Sequence, residues 1–300
     1  MIKAEKNTSI SICKSDKIFY AVVDVIMVLI LLIVMVPMLN VIASSFSSGK
    51  AVASGRVAIW PVDFSIEGYL EVFKNDKILL GYGNTIFYTF FGTLVSVIMT
   101  VLCAYPLSRS DLPGRNLFMF LFTFTMLFNG GMIPNYILMK NLNLTDNRLV
   151  LILPTAISVY NMIITRTNFQ NLPKELLEAA KIDGCSDFRF FATMALPLSK
   201  AIIAVITLFY AVGQWNTFFN AYIYLSSESK QPLQIFLRQI LLANQGTPDN
   251  IDPEAIAKMA NMADLLKYSL IIVASLPVWC VYPFVQKYFV QGVMIGSIKG

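Results

Sequence analysis

Long apolar runs separated by shorter polar stretches set the pattern of this chain. Residues 18–48 carry one charge, Asp24, near their start, and residues 82–107, 116–140, 149–165, 197–225 and 265–284 are nearly free of ionisable groups. A helix needs roughly 20 apolar residues to cross a hydrocarbon core of about 30 Å. The pattern therefore predicts an all-α membrane protein with six transmembrane helices over 18–285, flanked by tails at 1–17 and 286–300. The first run follows a basic tail, as a cleaved leader would, but its length and Pro37 favour an uncleaved span.

The polar stretches have structure of their own. In 49–80, Ser65 can cap a short helix carrying Tyr69, Leu70 and Phe73; in 226–263, Pro232 opens one carrying Leu233, Phe236, Leu237, Ile240 and Leu241, and Pro253 opens another. Both stretches are expected as outer loops lying along the interface. Arg109, Asp111, Pro113, Gly114 and Arg115 form a tight turn after the second run, while Gly130, Gly131 and Pro134 loosen the outer end of the third. Six spans put both termini on one side. With the tails, the 108–115 turn and the 166–200 loop inside, 13 Lys and Arg lie inside and 10 outside, a lean towards cytoplasmic termini.

Composition narrows the function classes. The 300 residues are 56% hydrophobic and 14% charged, and there is no histidine, which removes the commonest general base and metal ligand. Cys13, Cys103, Cys185 and Cys280 lack metal-type spacing and are expected as free thiols. The net charge of +5 comes without a basic run, so nucleic acid is not an expected partner. No span holds an acid or base near its middle, where proton- or sodium-coupled carriers place one. Energy from outside the membrane is the better expectation.

Residues 172–197 are the exception to the apolar pattern, mixing acids, bases and aromatics at helical spacing between two spans. Pro173 suits a first helical turn and Glu175 with Glu178 suits its positive dipole end. Gly184 after Asp183 permits a left-handed helix end, and Ser186 can cap a second helix with Phe188, Phe190 and Phe191. Two helices meeting at a corner result. Ala179 and Ala180 leave a flat face for close approach, Glu178 offers a carboxylate to a partner, and Asp183 either caps the corner or pairs with that partner. Pro197 is expected to start the fifth span and so pass hairpin movement into the membrane.

Here the chain resembles a known family. Glu178-Ala179-Ala180, three residues, Gly184, nine residues, then Met194-Ala195-Leu196-Pro197 is similar to the EAA loop of membrane subunits of ATP-driven, binding-protein-dependent importers, with Met194 where isoleucine is usual. Asn84-Thr85, the run from Ala104 to Arg109, Asp183-Gly184-Cys185-Ser186 and the ending from Gln286 resemble carbohydrate-importer permeases of the MalG/LplC type. The resemblance implies the type I ABC importer permease fold in a bacterial plasma membrane. It also implies a cytoplasmic hairpin seated in a dimer of ATP-binding subunits, a second, related permease subunit, an extracellular solute-binding protein and a carbohydrate substrate, oligosaccharide above all. The chain has no phosphate-cradling GxxxxGK[ST] segment, so it is expected to be a non-catalytic subunit without bound cofactor, with ATP and Mg on the partner.

Substrate-pathway residues are harder to assign. Gly213, Asn216 and Asn220 fall on one helical face with Gln214 and Trp215 beside them, and Asn84, Tyr160 and Asn161 are further candidates. Amides in membrane helices bond neighbouring helices as readily as a sugar, and both readings stay open. The rivals are a secondary carrier, a membrane-embedded enzyme and a non-transporting anchor that recruits an ATPase.

Overall fold

The structure, a computed structural model, describes residues 13–243 and 253–297, and every regular element among them is helical. Three helices are long and apolar enough to cross a membrane: α1 (Lys14–Ser45), α4 (Asp76–Ser108) and the Met262–Pro283 part of the final helix. Two bent pairs qualify if each counts as one span. The expected six uninterrupted spans are therefore revised, and each break has a local cause. In the third run, α5 (Arg115–Leu127) and α6 (Met132–Asn141) meet at 116°. Gly131 between them has φ +88°, and its N–H is taken by Asn129 Oδ1 at 2.9 Å.

The fourth run holds one 3-10 turn, Arg148–Leu151, before α7 (Val159–Gln170) starts. Pro154 lies between them, and it removes a helix donor and disfavours helical backbone at the residue before it. The fifth run ends a helix at Trp215, and a separate helix of Phe219–Tyr224 follows. There the Asn216 amide and Thr217 hydroxyl donate back to the carbonyls of Val212 and Gly213, competing with helix continuation. The expected single face of Gly213, Asn216 and Asn220 is broken by the same turn.

Contacts divide the described residues into two units, the first drawn from Met1–Leu70 and Thr247–Ile272 and the second from Glu71–Gly246 and Val273–Gly300. In the first, the side chains of α1 are exposed along its apolar length. Past its end, α2 (Gly49–Ala53) packs Ala51 on Ala43 and Val57. The Asn40 amide donates to the carbonyls of Val57 and Ala58, and Ser45 Oγ shares a 2.8 Å hydrogen bond with the Tyr69 hydroxyl of α3 (Glu67–Lys74).

In the second unit α4 is the spine, starting two turns earlier than the apolar run because Asn75 Oδ1 caps it at the Lys77 N–H. Its far end packs Tyr88 against Val150, Leu151, Ala221 and Ile235, and its other end builds the hairpin core described below. The 49–80 and 226–263 stretches contain helices, including α3 and the start of α4. Beyond the hairpin helices α8 (Lys174–Ile182), α9 (Asp187–Phe190) and α10 (Leu196–Leu198), the chain continues as α11 (Lys200–Trp215), α12 (Phe219–Tyr224), α13 (Leu233–Ala243) and α14 (Pro253–Ser297). The expected sixth span lies inside α14, which is also helical over 253–263 and 286–297 where loop and tail were expected. Residues 1–12 of the expected N-terminal tail lie outside the described residues.

Gly81 lets α13 approach α4: a Cβ there would stand 2.6 Å from the Phe236 ring and 3.1 Å from Leu233 Cα, whereas at Gly83 nothing lies within 4 Å. Gly81→Val is expected to lower the melting temperature of the purified chain by forcing these helices apart, at a cost of about 1–3 kcal/mol. Gly83→Val is the matched control, and equal melting of the two variants would show that the approach is not tight.

Candidate functional site

The hairpin follows its local sequence rules closely. Pro173 precedes the first residue of α8, and Asp183 ends the helix with its N–H bonded to the Ala179 carbonyl. Gly184 then turns left-handed at φ +71°, its N–H reaching the Lys181 carbonyl at 3.1 Å while Cys185 N–H reaches that of Ala180 at 2.9 Å. This pair of bonds is the glycine-terminated helix end that satisfies the last carbonyls. Ser186 Oγ accepts the Arg189 N–H and starts α9. A π turn over Phe191–Ala195 follows, then α10.

Aromatic packing fixes the hairpin to the spine. Ala180, Phe190, Phe191 and Ala195 share one buried cluster with Val101, Ala104, Tyr105 and Leu107 of α4, Met162 and Phe169 of α7, and Ile206 and Tyr210 of α11. Tyr105 stands 4.7 Å from the Phe191 ring and 5.6 Å, edge-on, from that of Phe169. Such pairs add about 0.5–1.5 kcal/mol each beyond the area they bury. A displacement of α8 must therefore drag the ends of α4 and α7 with it.

A charge clamp completes the attachment. Arg109 grips Asp111 through two nitrogens at 3.2 and 3.0 Å and reaches Asp187 at 3.7 Å, while Lys181 reaches Asp111 at 3.7 Å. The Arg109 hydrogen bonds hold the Asp111 carboxyl below the usual carboxylate range. The 108–115 turn is thus tied to both hairpin helices. Nearby, Arg166 Nε donates to the Leu107 carbonyl at 2.8 Å.

The open side of the hairpin carries Glu178, Ala179, Asp183 and Gly184, all exposed. Ala180, expected beside Ala179 on a flat outward face, is 3% exposed and packs inward. Pro197 is exposed in α10, on the hairpin side of a 79° bend between Asp187–Leu198 and Lys200–Trp215. The fifth run therefore turns at Ser199, a residue later than the expected hand-over, and buries a Ser199 hydroxyl that has no hydrogen-bond partner. Two residues passed over in the sequence dominate the open face: Ile182 is 87% and Phe188 75% exposed. Their signal was helical phase, since Ile182 lies opposite the Leu177 and Ala180 stripe of α8.

The proposed pathway residues do not gather into one site. Asn84 is buried, donating to the carbonyls of Ser229 and Gln231 and accepting from Arg148. Gln214 is buried with its amide on the Leu151 carbonyl and Thr155 Oγ1, and Gly92 of α4 leaves room for it. The Trp215 indole donates to the Ala274 carbonyl at 2.9 Å, and Asn161 is 5% exposed. These four act as attachments between segments of the chain. Tyr160 and Asn216 are exposed and Asn220 half-buried.

At the far end a second polar knot holds 141–148 against 226–231. Asp146 accepts from the N–H groups of Ser226 and Ser227, the Ser227 hydroxyl and Lys230 Nζ. Lys230, then Ser227, hold this carboxyl well below the usual range. The Tyr88 hydroxyl donates to the Lys230 carbonyl at 2.7 Å and the Leu233 N–H to Thr85 Oγ1 at 2.8 Å.

Among solved structures, this chain is similar to one from a bacterial ABC transporter involved in the import of the acidic polysaccharide alginate, with a TM-score of 0.83 and 37% identity over 92% of this chain and 98% of that one. Among sequences, it is 42% identical over 285 residues to the polygalacturonan/rhamnogalacturonan transport system permease protein YtcP of Bacillus subtilis (strain 168), covering 95% of this chain and 99% of YtcP. It is 44% identical over 268 residues to protein LplC of the same organism, covering 89% and 90%. Residues 14–295 match one family model throughout, and the chain belongs to the binding-protein-dependent transport system inner membrane components.

Proposed function

We propose that this chain is a membrane-spanning permease subunit of an ATP-driven carbohydrate importer, and that its 172–197 hairpin is the element on which a separate ATP-binding subunit acts. The observation that carries this reading is the two-sided hairpin. Its open face presents Ile182, Phe188 and Glu178, while its inner face is packed by Ala180, Phe190 and Phe191 into the ends of α4, α7 and α11. In this reading both termini are cytoplasmic and the ATP-binding subunits form a dimer. Their closure on ATP pushes the hairpin, and the aromatic cluster passes the push to α4 and α7 without slack. Hydrolysis lets the hairpin return. A related second permease and an extracellular solute-binding protein complete the machine, the latter delivering substrate near 49–80 and 226–263.

The substrate class follows from the relatives, whose names specify polygalacturonan, rhamnogalacturonan and alginate. Oligosaccharides, acidic ones included, are proposed here. Tyr160, Asn216 and Asn220 are the side chains left open to a pathway. The test is uptake of labelled oligogalacturonate by vesicles holding the reconstituted assembly: it should require ATP and the solute-binding protein. Uptake driven by an ion gradient with no ATP-binding subunit present would make the chain a secondary carrier and end this reading.

A further inference from the structure

Between the hairpin and the 108–115 turn lies a cavity of about 600 Å³ whose lining includes Tyr105, Arg109, Arg115, Lys174, Glu178 and Lys181. Its charge is unbalanced. Asp111, also in the lining, is already held by Arg109 and Lys181, whereas Arg115 and Lys174 form no ion pair among the described residues. The nearest bond of Arg115 is a 3.5 Å donation to the Arg109 carbonyl. Arg166 stands close enough to Arg115 to repel it and has no ion pair either. The Tyr105 hydroxyl is buried beside the Arg109 guanidinium without a well-aligned hydrogen bond.

Like charges held together in a half-desolvated cleft raise each other's energy, and an anion with several acceptor oxygens relieves them. Depth selects which anion. The apolar run of α4 ends at Leu107 and that of α5 begins after Arg115, so the cavity opens at the level where a bilayer places its headgroups. Basic pockets between membrane helices on the cytoplasmic side are suited to anionic headgroups.

We propose that this cavity seats the phosphate of an anionic phospholipid, with Arg115 and Lys174 as its direct contacts and Arg109 and Tyr105 behind them. The lipid then lies between the turn and the hairpin, whatever protein covers the hairpin's open face. The site is independent of the docking reading: retained lipid is measured on this chain alone.

The experiment is native mass spectrometry of the full chain extracted from vesicles supplied equally with phosphatidylglycerol and phosphatidylcholine. Selective retention of phosphatidylglycerol is expected. Arg115→Gln with Lys174→Gln should weaken retention about 25-fold, taking roughly fivefold per cationic group at an anionic surface, while Arg115→Lys with Lys174→Arg should keep it. Equal retention of the two lipids by the wild-type chain overturns the proposal even if the double variant fails to insert. Unchanged phosphatidylglycerol in an inserted double variant overturns it as well. Binding of inorganic phosphate without lipid preference assigns the cavity to a soluble anion instead.

Discussion

Ile182→Asp combined with Phe188→Asp is expected to abolish co-purification of the ATP-binding subunit while leaving the chain inserted in the membrane. Both side chains stand open, 87% and 75% exposed, on a surface otherwise lined by Glu178, Ala179, Asp183 and Gly184. Fully burying a large apolar side chain is worth about 1.5–3 kcal/mol. Losing two therefore costs about 3–6 kcal/mol, or roughly 100-fold to 10,000-fold in affinity, before the added cost of burying unpaired carboxylates. The hairpin's own fold should survive, because its anchors are Ala180, Phe190, Phe191 and Ala195. Ile182→Leu with Phe188→Leu should retain the partner. Undiminished co-purification with the two aspartates would mean that docking lies elsewhere.

Asp146→Ala is expected to release the far-end knot, seen as hydrogen–deuterium exchange about 30-fold faster at the amides of Ser226 and Ser227. Both amides end on this carboxylate, and Lys230 would lose its counter-charge. Charge-assisted hydrogen bonds contribute about 1.5–3 kcal/mol each; the pair is a third exposed, which argues for about 2 kcal/mol in total. The pH dependence has a definite sign. The folded-state carboxyl titrates below its unfolded value, so its stabilisation is complete above the ordinary aspartate range near about 4 and declines only as pH falls below it. Wild-type protection should hold at neutral pH and fade in strong acid, while the alanine variant should lack that acid-dependent step. Equal exchange in both proteins would make the knot incidental.

What the sequence disclosed and what it concealed divide along physical lines. The corner at Gly184 and the Ser186 cap were legible because they depend on one residue's conformational freedom and one side chain's reach. The attachments of Asn84 and Gln214 were not, since an amide facing a carbonyl across the fold has the same composition signal as one facing a ligand. Hydropathy gave six spans because averaging over about 20 residues is blind to local hydrogen-bond competition. Asn216 and Thr217 break the fifth run by that competition, Asn129 and Gly131 break the third, and Pro154 breaks the fourth. Ala180 misled because alanine is neutral evidence for either face; only the spacing from Leu177 pointed inward.

The π turn at Phe191–Ala195 makes residue count itself a constraint. An α-helix turns about 100° per residue, so removing one residue there would rotate the side chains of the following helical segment by about that angle about its axis. Inward Ile206 and Tyr210 would trade places with neighbours meant for other surroundings. The nine residues between Gly184 and Met194 are thus fixed by angular phase: their number, more than their identity, sets which way the helices beyond them face.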